Sequence, residues 1–318
     1  MKILITGAAG FIGFHLSILY LKKGHTVYGI DNLNKYYSSD LKNKRLNELK
    51  IYKKFYFFKL DLSIKDKLKL IPNDFDILIH LAAQPGVGLS FKKQSQYIKD
   101  NILVFSNILE HLDKVKCKKI FFASSSSVYS QSKKDIFKEN DIIDNFINFY
   151  GLSKYFNELQ AKLYSKYNNI PIIGLRFFTV YGPYGRPDMS YYKFTDSIIH
   201  NKKIHLFNNG NNYRDFTYID DITRSIYLLS KTSFKNKYLI LNIGSNKPIS
   251  VLKFLNIIEK ILGKKASIIT KDEQLGDMKF TNASQKKINN LIDYKASTKL
   301  EHGLKKFIDW YLVHHKSN

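Results

Sequence analysis

The sequence predicts an α/β protein: a doubly wound parallel sheet followed by a smaller α/β unit toward the C-terminus. Three observations predict it. Through roughly the first 180 of 318 residues, strand-like and helix-like segments alternate, the rhythm of a parallel sheet covered on both faces. The strand candidates are near-continuous apolar runs, as strands buried on both sides require. A glycine-spaced loop, Thr6-Gly7-Ala8-Ala9-Gly10-Phe11-Ile12-Gly13, joins the first strand to the first helix.

In chain order, strands are expected at Lys2–Thr6, Thr26–Ile30, Phe55–Leu60, Asp76–His80, Lys119–Ala123 and Pro171–Phe177. Helices are expected at Phe11–Lys23, Leu41–Lys50, Ile64–Leu70, Gln94–Leu112 and Tyr150–Tyr167. After about Thr179 the rhythm changes. The Gly/Pro-rich stretch YGPYGRPD precedes expected helices at Tyr191–Asn201, Ile219–Leu229 and Val251–Leu262, and a last helix ending near His314. One late strand, Tyr238–Ile243, is free to rejoin the first sheet. The expected division is residues 1–178 and 179–318. The segment Lys231–Lys237 and the tail HHKSN read as solvated ends.

Composition bounds the function. At 44% hydrophobic residues the chain has ample material for a large core. No apolar run reaches the roughly 20 residues of a membrane span, and the start MKILITGAAG lacks a signal peptide's long apolar stretch. A single cysteine, Cys117, fits a reducing cytoplasm. The net charge is +24, which admits two readings. One is a nucleic-acid footprint; the other is a lysine-rich surface set by biased residue usage. Only Arg45, Arg176, Arg186, Arg214 and Arg224 among 51 basic residues are arginine. Base readers lean on arginine and the lysines form no stripe, so no nucleic acid and no membrane partner is expected. No metal is expected either.

The glycine loop permits a tight turn and close approach of a pyrophosphate, and the helix start offers free N–H groups, here of Phe11, Ile12 and Gly13. The second strand runs into Asp31, at the distance of a ribose-binding acid. Asn32 follows, with no arginine beside it. A carboxylate there would repel a 2′-phosphate, so NAD is expected over NADP.

Tyr150-Gly151-Leu152-Ser153-Lys154 places Tyr150 and Lys154 four apart, on one face of a helix. An ammonium near a phenol favours its anion, and a phenol poised nearer neutrality serves as base or acid. YxxxK also arises by accident in a chain with 22 tyrosines; its place after the fifth strand gives it weight. The run Ser124-Ser125-Ser126-Ser127 follows that strand, at the sheet edge where ligands bind. It reads either as a strand-ending turn or, for Ser125–Ser127, as part of a site.

The spacing of Gly7, Gly10 and Gly13 resembles the extended short-chain dehydrogenase/reductases. The stretches IDNLNKYY, HLAAQPGVGLS, ASSSSVY, YGLSK, GLRFFTVYGPYGRPDM, RDFTYIDDI and LNIGSNKP further resemble the UDP-glucuronate 4-epimerases over most of the chain. The resemblance implies an NAD-binding Rossmann domain, a smaller nucleotide-sugar-binding domain, and an isomerase making UDP-galacturonate for surface polysaccharide. It implies that Asp61 and Leu62 meet the adenine and that Leu81, Ala82 and Ala83 line the cofactor, with His80 more simply a packed strand-end histidine. Tyr150 would take the proton of the sugar 4-hydroxyl, supported by Ser125 and Lys154, while NAD takes and returns the C4 hydride.

The same resemblance places Ser126, Ser127 and Thr179 near the sugar and its carboxylate. Arg186 and Arg214 suit carboxylate or diphosphate, because guanidinium pairs bidentately with such groups. Asp277, in Gln274-Leu275-Gly276-Asp277, resembles the acid that holds the nucleotide ribose; it also reads simply as a turn. A homodimer through helices of the first domain is implied. Dehydratase relatives carry Asp-Glu where Ser126-Ser127 stand, and a hydroxyl is a poor acid for expelling water. Three positions depart from the family: Gly88 stands where an arginine is usual, Pro85 is unusual, and Ser130 replaces a glycine. The loss at position 88 leaves open a 4-epimerase or 4,6-dehydratase acting on another nucleotide sugar.

Overall fold

The computed structural model describes residues 1–88, 90–113, 115–130, 135–273 and 276–315. The predicted alternation folds into a seven-stranded parallel sheet. Its strands are β1 (Lys2–Thr6), β2 (Thr26–Asp31), β3 (Phe55–Lys59), β4 (Ile77–His80), β5 (Lys119–Ser125), β6 (Ile172–Phe177) and, after three intervening strands, β10 (Tyr238–Ile243). They lie in the order β10-β6-β5-β4-β1-β2-β3. The winding reverses between β1 and β4, and ligands bind beyond the carboxyl ends of strands at such a switch point. Tyr238–Ile243 lies parallel to β6, Leu241 opposite Leu175.

Helices α1 (Phe11–Lys22), α2 (Ser39–Lys50), α3 (Gln94–Tyr97), α4 (Val104–Leu112) and α5 (Phe149–Tyr167) cover the sheet. Ile3, Ile5, Ile79 and Phe121 point to one core, and Leu4, Leu78, Ile120 and Phe122 to the other. Alternate residues of each strand therefore feed opposite layers.

Beyond β6 two small sheets add to the fold. One has the order β11-β9-β7, from β7 (Thr179–Tyr181), β9 (Tyr213–Tyr218) and β11 (Pro248–Ser250); the other pairs β8 (Lys203–Phe207) with β12 (Ser267–Lys271). Against them pack α6 (Ser190–Ile199), α8 (Val251–Leu262) and α10 (Leu300–His314), while α7 (Ile219–Lys231) also lies along α1 and α9 (Lys286–Asn289) packs on β10. Of these, Thr179–Tyr181 and Pro248–Ser250 are three residues long, too short to show a period.

Three local expectations change. Ile64–Leu70 forms a 3₁₀ turn at Lys65–Leu70 rather than an α-helix. The expected helix Gln94–Leu112 is interrupted by a π turn at Ile98–Leu103, where Asn157 Nδ2 donates to the Asn101 carbonyl at 2.9 Å. In the tail, His314 and His315 are not simply solvated: their rings lie on Trp310 and Tyr311. Lys316, Ser317 and Asn318 lie outside the described residues.

Candidate active site

The site is built at the carboxyl edge of β1, β4, β5 and β6. After β1 the chain turns through Gly7, whose φ of 73° suits glycine. A Cβ on Gly7 would lie 2.8 Å from the Ala82 nitrogen, so the glycine loop and the end of β4 touch backbone to backbone. The first helical bond of α1 runs from Phe14 N to Gly10 O at 3.0 Å. The preceding N–H groups, of Phe11, Ile12 and Gly13, are left as an anion-binding helix start. Asp31 is buried and already held: its carboxylate accepts from Ala9 N at 3.2 Å and from Leu33 N at 2.8 Å.

His80 is a packed strand-end residue. Thr6 Oγ1 accepts from the Leu81 and Ala82 N–H groups, each at 3.2 Å. Its own hydrogen then goes to His80 Nδ1, 2.8 Å away. Burial, with the charge of Lys154 nearby, lowers the His80 pKa to about 3, so the ring is neutral.

The serine run does two jobs. Its first two residues end β5, and Ser126–Tyr129 make one 3₁₀ turn whose N-cap is Ser125, accepting from Ser127 N at 3.1 Å. Ser124 donates to Glu158 at 2.6 Å and is structural. Glu158 also takes a bidentate, buried pair from Arg176 at 2.8 and 2.7 Å. Arg176 is thus a structural arginine of β6. Ser130 closes the turn with φ 55° and ψ −131°, a conformation costing a non-glycine residue about 1–3 kcal/mol.

Two elements interlock to bring Tyr150 toward the serine run. Asn148 caps α5, accepting from Gly151 N at 2.7 Å, and so starts the helix one residue before Tyr150. Gly151 then packs on the Ser127 carbonyl so closely that a Cβ would collide with it. Asn148 also donates to Gly276 O at 3.1 Å, drawing the residue next to Asp277 to the same place.

Burial raises the Tyr150 pKa, while the Arg186 charge and the Ser125 hydroxyl pull it down. The sequence assigns the lowering influence to Lys154; in this structure Arg186 and Ser125 exert it. Lys154 is buried, and its pKa falls to about 8 for that reason. It carries its charge at neutral pH and loses it as the pH rises through that value.

Arg186 forms a bidentate pair with Asp188 at 3.0 and 2.5 Å, and Tyr36 donates to the same carboxylate at 3.1 Å. Arg214 pairs with Asp277 at 2.8 Å.

One cleft of about 750 Å³ gathers the predicted residues, a volume suited to a bound small molecule. Its wall includes Gly7, Gly10, Phe11, Ile12, Gly13, Asp31, Asn32, Asp61, Leu62, Leu81, Ala82 and Ala83. Ser125, Ser126, Ser127, Tyr150, Lys154, Thr179, Arg186, Arg214 and Asp277 line the same cleft. Gln274 and Leu275 lie outside the described residues, as does Leu89 of PGVGLS.

Sequence reading missed Asp188, Tyr36 and Lys42, all in the same wall, and Asn101. Asp188 lies in GLRFFTVYGPYGRPDM and Tyr36 in IDNLNKYY; nothing local marks them as partners of Arg186. Asn101 accepts from Gln84 N at 2.8 Å and donates to Ser153 at 2.9 Å, tying the π turn to α5. A buried asparagine in an apolar helix pattern was the available signal.

The NAD dependent epimerase/dehydratase family matches residues 3–244. The Staphylococcus aureus protein CapI is 41% identical, covering 99% of this chain and 100% of its own. A UDP-glucuronate 4-epimerase of Thermodesulfobacterium geofontis is 38% identical, covering 96% and 95%. Among solved structures, the UDP-glucuronic acid 4-epimerase of Bacillus cereus in complex with UDP-glucuronic acid and NAD superposes with a TM-score of 0.94. It has 35% identity and covers 99% of this chain and 100% of that one. With a parallel sheet, a glycine loop and this cleft in place, the chain belongs to the NAD-dependent epimerase/dehydratase family.

Proposed function

We propose that this protein is a UDP-glucuronate 4-epimerase that keeps NAD tightly bound. The observation that carries the reading is the meeting of Ser125, Tyr150, Lys154 and Arg186 in the cleft that the glycine loop also lines. The cofactor end fits NAD on its own geometry: a tight turn that only glycines allow, free N–H groups at the start of α1, and a backbone-held Asp31 for the adenosine ribose, with Asn32 beside it. Asp61 and Leu62 fit the adenine side, and Leu81, Ala82 and Ala83 the nicotinamide half. NAD, when bound, accepts the C4 hydride of the sugar and returns it to the opposite face of the 4-keto sugar.

Tyr150 takes the proton of the 4-hydroxyl and later gives it back, with the Ser125 hydroxyl as its hydrogen-bond partner and Lys154 as the nearby cation. Ser126, Ser127 and Thr179 hold the sugar and its carboxylate; Arg186 supplies the charge for an acidic sugar; Arg214 and Asp277 hold the nucleotide. Ser126 and Ser127 offer no acid that could expel water, which disfavours dehydration. Gly88 lines the cleft without a side chain, and this observation favours a second reading, 4-epimerisation of another nucleotide sugar.

A nucleotide-sugar panel tests both. Purified protein should interconvert UDP-glucuronate and UDP-galacturonate without added NAD, and Tyr150→Phe should lower kcat about 1,000-fold. Brisk turnover of a neutral UDP-sugar alone would replace the substrate assignment.

We infer further that residues 1–178, with the returning strand β10, form the cofactor domain, and that two copies assemble through α5. Leu152, Phe156, Leu159, Leu163 and Tyr167 leave 38%, 43%, 47%, 55% and 81% of their surface exposed. They recur at helical spacing along one stripe, beside the half-exposed Ile98 and Leu103 of the neighbouring helix. Such a face suits a two-fold helix bundle. Light scattering should return the mass of two chains; a single-chain mass at micromolar protein would refute this. No described helix is long and apolar enough to cross a membrane, and the lone Cys117 is buried and free, which supports a cytoplasmic location.

A further inference from the structure

Arg45 is 0% exposed on α2, and among the described residues no carboxylate forms an ion pair with it. An enclosed guanidinium without a counter-ion is costly and needs its hydrogens satisfied. Arg45 satisfies them on three backbone carbonyls and one tyrosine hydroxyl. Nη1 donates to Ala9 O at 2.8 Å and to the Tyr37 hydroxyl at 2.7 Å. Nη2 donates to Tyr184 O at 2.6 Å and to Gly185 O at 3.3 Å, and Nε to Tyr184 O at 3.2 Å.

Ala9 belongs to the glycine loop, Tyr184 and Gly185 to the loop that presents Arg186. These carbonyls come from segments about 175 residues apart in sequence, and the planar fork grips both. Lysine, a point charge on a flexible stem, cannot reproduce two fixed directions. Arg45 is one of the few arginines in a chain that otherwise uses lysine.

We propose that Arg45 is a positioning residue that sets the sugar-anchoring Arg186 relative to the cofactor loop. It touches neither ligand. Its role is to make the glycine loop and the Arg186 loop one rigid frame, so that Arg186 stands at a fixed reach from Tyr150. This inference rests on the epimerase reading for the choice of substrate.

A double-mutant cycle tests it on the purified holoprotein, with Arg45→Met, Arg186→Met and the double variant. Both kcat/KM and the calorimetric Kd for UDP-glucuronate are read, the latter needing no turnover. Misplacing a binding group by about 1 Å costs on the order of 100-fold. Arg45→Met should therefore lower kcat/KM about 30-fold when Arg186 is present, and less than about threefold when Arg186 is already methionine. A merely structural Arg45 loses the same factor in both backgrounds, and that result, or no loss at all, overturns the proposal. Arg45→Lys keeps the charge and serves if Arg45→Met does not fold; about a tenfold loss with the same dependence on Arg186 is expected. Wild-type protein that binds UDP-glucuronate with an intact cycle in Kd, but converts none, overturns the reaction and leaves the role of Arg45 standing.

Discussion

The two ends of the cleft are organised by opposite means. Where NAD is proposed to lie, the cleft offers backbone N–H groups and the Asp31 carboxylate, which main-chain N–H groups of Ala9 and Leu33 fix. Where the sugar nucleotide is proposed to lie, hydroxyls are joined by long charged side chains, and each arginine already holds an acid: Arg186 with Asp188, Arg214 with Asp277. A ligand at the first end meets a rigid mould. A ligand at the second must share or displace an ion pair, so part of its binding energy goes into exchanging partners. Both pairs keep solvent contact, Arg186–Asp188 at 22% and 28% exposure and Arg214–Asp277 at 12% and 39%, so both can exchange partners.

A mould of backbone atoms breaks when anything is added to it, which gives the larger of the two effects this contrast predicts. At Gly13 a Cβ would overlap the Gly7 carbonyl and come within 3.1 Å of Ala8 Cα. Neither neighbour is the flexible tip of a side chain, so the loop itself must shift. Gly13→Ala should purify with little bound NAD and lose at least about 100-fold in kcat/KM, with the melting temperature reduced as well. Absorbance of the cofactor released on denaturation reports its occupancy. Full occupancy in this variant would mean that the loop is softer than its contacts indicate, and the contrast between the two ends would fail.

The same contrast explains what was legible in the sequence. Gly7, Gly10, Gly13 and Asp31 could be read because a tight turn before a helix demands those residues at those spacings, and local geometry fixes what they do. Tyr150 and Lys154 were legible as helix neighbours, and Ser125 by its place at a strand end. The pairing of Arg186 with Asp188 and Tyr36 was not, since Tyr36 approaches from 150 residues away in sequence and nothing in its surroundings names its partner. Nor was the arginine frame at Arg45, whose acceptors are carbonyls that every residue carries. The short strands of the smaller sheets were lost for a related reason. A three-residue strand such as Thr179–Tyr181 has no period to detect, and its stability comes from neighbours far along the chain. The influence on Tyr150 was assigned to Lys154 from helix spacing, whereas burial and the converging Arg186 decide it in this structure.

The smaller expected effect sharpens the sugar end. Asp277 is 39% exposed, accepts from Arg214 at 2.8 Å and from Met278 N at 3.0 Å. Two roles predict opposite signs for Asp277→Asn. As the holder of the nucleotide ribose, the carboxylate contributes a charge-assisted hydrogen bond to ground and transition state alike, worth about 1.5–3 kcal/mol. Its loss then raises KM at least about tenfold with kcat unchanged, the pattern of lost uniform binding. As nothing more than a counter-ion, its neutralisation frees Arg214 for the diphosphate, and KM falls. The first outcome is expected, because Gly276 is tethered by Asn148 at the mouth of α5, which holds Asp277 against the cleft whether or not Arg214 is present. Steady-state kinetics with UDP-glucuronate at two salt concentrations reads the difference. A lowered KM that salt abolishes would assign Asp277 to the ion pair alone, and the sugar end would then bind its nucleotide by charge rather than by a fixed ribose contact.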